Sequence, residues 1–244
     1  VEIPGSADPG QVPYTKELQR PFRDTAQKRV SRTFEESLRN ILADRERGPI
    51  DWNDRALSLL DPAPPEEDEE AFERHVRRVA AGRFARRMVE GDRAAWSEVI
   101  REELINEELP FAIAFEWGIE EDPERVYLGV VLPSKQMVHE LGLPAMKERE
   151  LYEDVACGLV LRMAHEILRI IPEADTLYLV GFTDEKDPSS GLPVRAIYLR
   201  LATDRESFSD LVLDHVDPSA AFERLGGVSM KRRGELVPIG TEEQ

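Results

Sequence analysis

The chain has 244 residues, enough for one large domain or for a helical region joined to a compact domain, and its 41% apolar content is sufficient for a real core. A formal charge of −17 repels phosphate backbones and anionic lipid, and no run of 18 apolar residues is available to span a membrane. The single cysteine, Cys157, excludes an internal disulfide and a thiolate metal cluster, and the expected location is a reducing cytoplasm.

Residues 1–13, VEIPGSADPGQVP, hold three prolines and two glycines without periodicity and read as an extended arm. The chain begins at Val1 without a secretory pattern, which reads as a fragment or a processed form. From Leu18 the apolar residues Phe22, Ala26, Val30, Phe34, Leu38, Ile41 and Leu42 recur at three and four, the mark of an amphipathic helix running from about Arg20 to Arg47. Trp52 then anchors a short apolar piece before the linker at Pro62, Pro64 and Pro65. The acidic run Glu66–Glu70 suits the positive end of a helix dipole, and a helix carrying Phe72, Val76 and Val79 follows, with a kink expected near Gly82. Arg74, Arg77, Arg78, Arg83, Arg86 and Arg87 give that helix the densest positive charge in the chain. They are a candidate basic patch for phosphate, set against the plainer reading of a solvated face paired with carboxylates. Asp92 caps a short helix bearing Trp96, Val99 and Ile100.

At Pro110 the apolar period changes from helical to two, with Phe111, Ile113, Phe115 and Trp117 on one face. A second strand, VYLGVVL at 126–132, completes a hairpin. Residues 150–171 form a helix that is apolar on most sides, with Asp154, Gly158, Arg162, His165, Glu166 and Arg169 gathered within about 120° of arc. Asp154, Arg162, His165, Glu166 and Arg169 are therefore a candidate polar seam. Residues 176–182 and 194–201 read as a second hairpin around a long polar loop, TDEKDPSSGLP. Asp204 and Asp217-Pro218-Ser219 open two short helices before the tail. The expected fold class is α+β, a helical N-terminal half followed by an antiparallel β-β-α-β-β-α domain. Its parts are an arm at 1–13, a helical region at 14–107 and an α+β domain at 108–239.

The blocks VVLPSKQMVHELG, ELYEDVACGLVLRMAHEILRIIP and YLRLATDRESFSDLVLDHVDPSAAFERL resemble the C-terminal region of a family of uncharacterised bacterial proteins, many of which begin with a small basic β-rich domain absent here. IDWNDRALSLLDPAPP and VEGDRAAWSEVI are also similar to it, so the likeness covers roughly residues 48–239. The resemblance implies no activity and no catalytic residues.

No catalytic constellation stands out, and no catalytic, cofactor-binding or metal-binding residue is expected. His165-Glu166 resembles the first half of a zinc-protease helix, but the second histidine's place is taken by Arg169. No phosphate-binding glycine loop and no G-x-S-x-G elbow occurs. The most serious enzyme reading is a metal-dependent nuclease with Glu166, Asp175, Asp184, Glu185, Lys186 and Asp187 converging at one sheet edge. The leading expectation is a non-enzymatic cytoplasmic protein that self-associates or binds another protein. A nucleic-acid-associated or nuclease-like role is the alternative, disfavoured by net charge and supported by the α-helical arginines and by Lys231-Arg232-Arg233.

Overall fold

The computed structural model describes residues 15–18, 32–42, 50–57, 69–105, 107, 109–120, 125–171, 173–174, 176–187 and 189–243. The extended arm expected at 1–13, the 20–31 and 43–47 parts of the helix expected over 20–47, the proline-rich link and Asp175 lie outside these residues.

The elements form three layers around one helix. α6 (Ala145–Ile170) carries 18 buried residues out of 26, among them Leu159 and Met163, which are fully buried. On one side lies a mostly antiparallel sheet. β1 (Thr15–Leu18) pairs with β2 (Ala114–Ile119), and β2 pairs in turn with β3 (Arg125–Val131). From β3 the chain passes through α5 (Lys135–His139) and α6 and returns as β4 (Thr176–Lys186), so β3 and β4 run parallel. β4 turns back antiparallel into β5 (Pro193–Asp204). Phe115, Trp117, Val126, Leu128, Val130, Leu177, Leu179, Leu199 and Leu201 alternate onto the sheet's inner face and form one apolar cluster with α6.

On the other side of α6 lies a second helical layer. α1 (Arg32–Arg39) and α4 (Arg93–Ile105) pack directly on it, and α2 (Trp52–Leu57) packs on α3 (Glu69–Val89). Leu38, Ile41 and Leu42 follow the stripe of α1 into this core, as do Trp96, Ile100 and Leu104 of α4. Gly158 permits the close approach of α1. A Cβ there would sit 2.4 Å from Ile41 Cγ2, inside van der Waals contact.

The carbonyls at the C-terminal end of α6 are satisfied by long-range donors rather than by a glycine cap. Trp52 Nε1 donates to Ile170 O at 2.8 Å and the Ile50 amide to Arg169 O at 3.0 Å. Arg205 donates to Leu168 O, Ile171 O and Ala174 O, placing a cation at the negative end of the dipole.

The C-terminal stretch follows α7 (Arg205–Ser209), a 3-10 turn at Leu213–His215 and α8 (Pro218–Arg224). Asp204 and Asp217 cap α7 and α8 by accepting from the Ser207 and Ala220 amides at 2.6 and 2.8 Å. β6 (Val228–Arg232) and β7 (Glu235–Val237) then form a hairpin through Arg233 and Gly234, both with positive φ. β6 and β8 (Gly240–Glu243) share the outer edge of β5.

Five expectations are corrected. β1 places a strand inside the region read as wholly helical, and the sheet has one parallel pair because the α5–α6 crossover returns the chain to the end where β3 began. α3 runs unbroken through Gly82, whose missing side chain is accommodated at a buried position. β4 extends to Lys186, so the expected long polar loop shrinks to 187–192 because Thr183–Lys186 find cross-strand partners at Pro193–Ala196. The tail, read without structure, supplies three strands.

Candidate functional site

The polar seam of α6 does not face water; it is the contact line between α6 and the outer helical layer. Arg162 is 4% exposed. Its Nε and its terminal nitrogen meet Glu107 Oε2 at 2.7 and 2.6 Å, and its other terminal nitrogen donates to Ile41 O at 3.0 Å. One guanidinium thus ties α6 to the chain just past α4 and to the end of α1. One turn on, Glu166 is fully buried. Its two oxygens face His165 Nδ1 at 3.3 Å and Arg169 Nε at 2.7 Å, and Arg169 also bonds Glu103 of α4. Burial pushes the Glu166 carboxyl up, but the hydrogen bond from His165 and the Arg169 charge outweigh it and hold the group down at about 2. Glu166 is thus an anion locked in a buried network.

Asp154 stands apart at the other end of the seam. It is half-buried, and desolvation followed by the nearby Asp217 and Glu153 carboxylates raises it to about 6. Arg39 and Ser219 act in the opposite sense.

The basic patch has a different environment. Arg77 pairs with Glu73 at 3.5 Å and Arg86 with Glu90 at 2.7 Å, both one turn apart on α3. Arg87 meets Asp92 at 2.7 Å and Glu98 at 3.8 Å, and lies 5.9 Å from the Phe84 ring centroid. Arg74, Arg78 and Arg83 are exposed on the same helix. The patch is therefore a solvated helix surface in which part of the charge is already neutralised by carboxylates.

Among its described members, the nuclease constellation does not assemble. α6 runs back along β4, so Glu166 lies near the start of that strand while Asp184, Glu185 and Lys186 lie at its end, roughly eight residues or about 26 Å away. Asp187 is occupied as the anchor of its turn, accepting from the Ser189 amide and hydroxyl at 2.8 Å each and from Ser190 Oγ at 3.0 Å, which holds its carboxyl below the usual range. Among the described residues, no group of three or more His, Cys, Asp or Glu side chains is placed to hold a metal ion.

Two polar clusters escaped the sequence reading. At the end of β3, Lys135 Nζ sits 5.7 and 5.4 Å from the Tyr152 and Tyr198 ring centroids and donates to Glu235 Oε1 at 2.8 Å and Leu236 O at 3.0 Å. Tyr152 and Tyr198 donate to Pro133 O and Glu185 Oε1, and burial followed by Glu185 pushes Tyr198 up to about 12. Both phenols donate within the cluster, and Lys135 latches the β6–β7 hairpin through Glu235 and Leu236. Lys231–Glu153 at 2.5 Å and Arg149 to Arg233 O at 3.0 Å complete that latch. On the sheet face opposite α6, Arg195 stacks 3.8 Å over Phe182 and pairs with Glu116 at 2.5 Å, while Tyr127 and Tyr178 stack at 4.9 Å. The only local hint of these was the strand ending Pro133-Ser134-Lys135; the ion pairs Lys135–Glu235 and Arg195–Glu116 join residues 100 and 79 positions apart.

Neither a family model, a curated protein nor a solved structure matches the chain. No helix among the described residues is long and apolar enough to cross a membrane.

Proposed function

We propose that this chain is a non-enzymatic cytoplasmic protein that acts through self-association or by binding another protein. The observation that carries this reading is how the molecule uses its charged and apolar side chains. The charged groups Arg162, Glu166 and Arg169 of α6 are consumed in buried pairs between layers, whereas α3 leaves Phe72 and Val76 41% and 50% exposed on an arginine-rich surface. Apolar side chains held in water beside charge favour a protein contact over a reaction site.

The finer organisation is part of the same proposal: a helical N-terminal half and a β-β-α-β-β-α order in the second half. So is kinship with the uncharacterised bacterial family. Light scattering on the full chain over a dilution series tests the reading; a mass above that of the monomer supports self-association. A monomeric mass at every concentration, with nucleic acid retained on a filter at low salt and released at high salt, would replace it with the nucleic-acid alternative.

A further inference from the structure

We infer that α3 is a self-complementary docking helix, which pairs antiparallel with α3 of a second copy of this chain across a two-fold axis near residues 77 and 78. The inference rests on the self-association reading and names its surface. Its basis is the order of residues along one face. Positions 69, 72, 76, 79, 83 and 86 fall within about 100° of arc, repeating at three and four. Glu69 stands at the first position, Phe72, Val76 and Val79 occupy the middle, and Arg83 and Arg86 stand at the end. The face is therefore acidic at the N-terminal end of the helix, apolar in the middle and basic at the C-terminal end.

Parallel pairing would set like charge against like at both ends. Antiparallel pairing about a point between 77 and 78 sets position 69 against 86, 72 against 83 and 76 against 79. Each acidic end then meets a basic end, the aliphatic residues meet across the axis, and the Arg83 guanidinium faces the Phe72 ring, where cation and aromatic face attract. The six arginines of α3 outnumber its three glutamates in a chain whose formal charge is −17, so a second copy also supplies the surrounding negative surface that such a helix fits. Among the described residues, the core leaves this face uncovered. α3 buries Ala85 and Met88 on its other side, while Phe72, Val76, Ala80 and Arg83 point away from that contact. The described part of the first amphipathic stripe packs on α6 through Leu38, Ile41 and Leu42.

The test uses the full chain in sedimentation velocity, with far-UV circular dichroism to establish that each variant is folded. The changes at positions 72, 73, 76, 83 and 86 lie on exposed helix positions. Phe72→Glu with Val76→Glu weakens the dimer by on the order of tenfold or more. Arg83→Glu with Arg86→Glu, and separately Glu69→Arg with Glu73→Arg, each disrupts it. Mixing these two charge variants restores dimers, because the charges on the docking face are all acidic in one and all basic in the other. Wild-type dimers that persist in every variant overturn this geometry while leaving self-association standing. A wild-type chain that is monomeric throughout overturns both.

Discussion

α6 and α3 carry similar side chains and use them in opposite ways. On α6, Arg162, Glu166 and Arg169 are almost wholly removed from water, and their partners come from α4, from the residues following it and from the end of α1. On α3, arginines pair with glutamates one turn away on the same helix or with the next turn of chain. The difference lies in location. α6 is the middle layer, so any charge it bears must be satisfied by another element; α3 is outermost, and water and its own side chains suffice. Buried pairs of this kind fix which surfaces meet and in what register, while surface pairs leave the helix open to a partner.

The largest expected effect comes from breaking the buried side. Arg162→Ala removes the guanidinium that Glu107 and the Ile41 carbonyl meet in a dry contact and should cost about 3–5 kcal/mol in urea unfolding. Next is Gly158→Ala, whose added methyl must displace Ile41 and should cost about 1–3 kcal/mol by the same measurement.

Smaller, but of opposite sign, is the effect at Asp154. Its folded-state pKa of about 6 lies above the ordinary 3.8, so the folded chain binds that proton more tightly than the unfolded chain does. Its contribution is present at pH below 3.8 and is lost as pH rises towards about 6. Asp154→Asn should therefore stabilise the chain at pH 7, by about 1 kcal/mol after discounting for partial exposure, with the gain vanishing below about pH 4. Glu166 runs the other way: held at about 2 against an ordinary 4.5, it contributes stability above pH 4.5 that is lost as pH falls towards 2. Unfolding midpoints measured across pH for wild type and Asp154→Asn check both limbs. The smallest effect is expected on the exposed side, where Arg86→Ala should change stability by only a few tenths of a kcal/mol, because the Glu90 pair it removes is solvated.

Much of the local structure could be read from the chain alone, because its causes are local. Asp92, Asp204 and Asp217 cap helices by accepting amides two or three residues on, and each precedes its helix in the sequence. The burial of α6 follows from an apolar arc too wide for a surface helix, and the alternation at Phe115 and Trp117 announces a strand with one buried face. The set of polar residues on α6 was also legible, since helical periodicity alone gathers Asp154, Arg162, His165, Glu166 and Arg169 on one side.

What that side faces was decided only by the tertiary structure. The carboxylates that complete the Arg162 and Arg169 contacts lie 55 and 66 residues away, and no local rule selects Glu107 or Glu103 from the 49 acidic residues available. The parallel pairing of β3 with β4 depends on where the crossover returns the chain, and the extension of β4 to Lys186 depends on partners in β5. The difference between a buried lock on α6 and an open face on α3 has the same origin. Periodicity fixes which residues share a face, whereas only the packing of the layers determines whether that face meets protein or water.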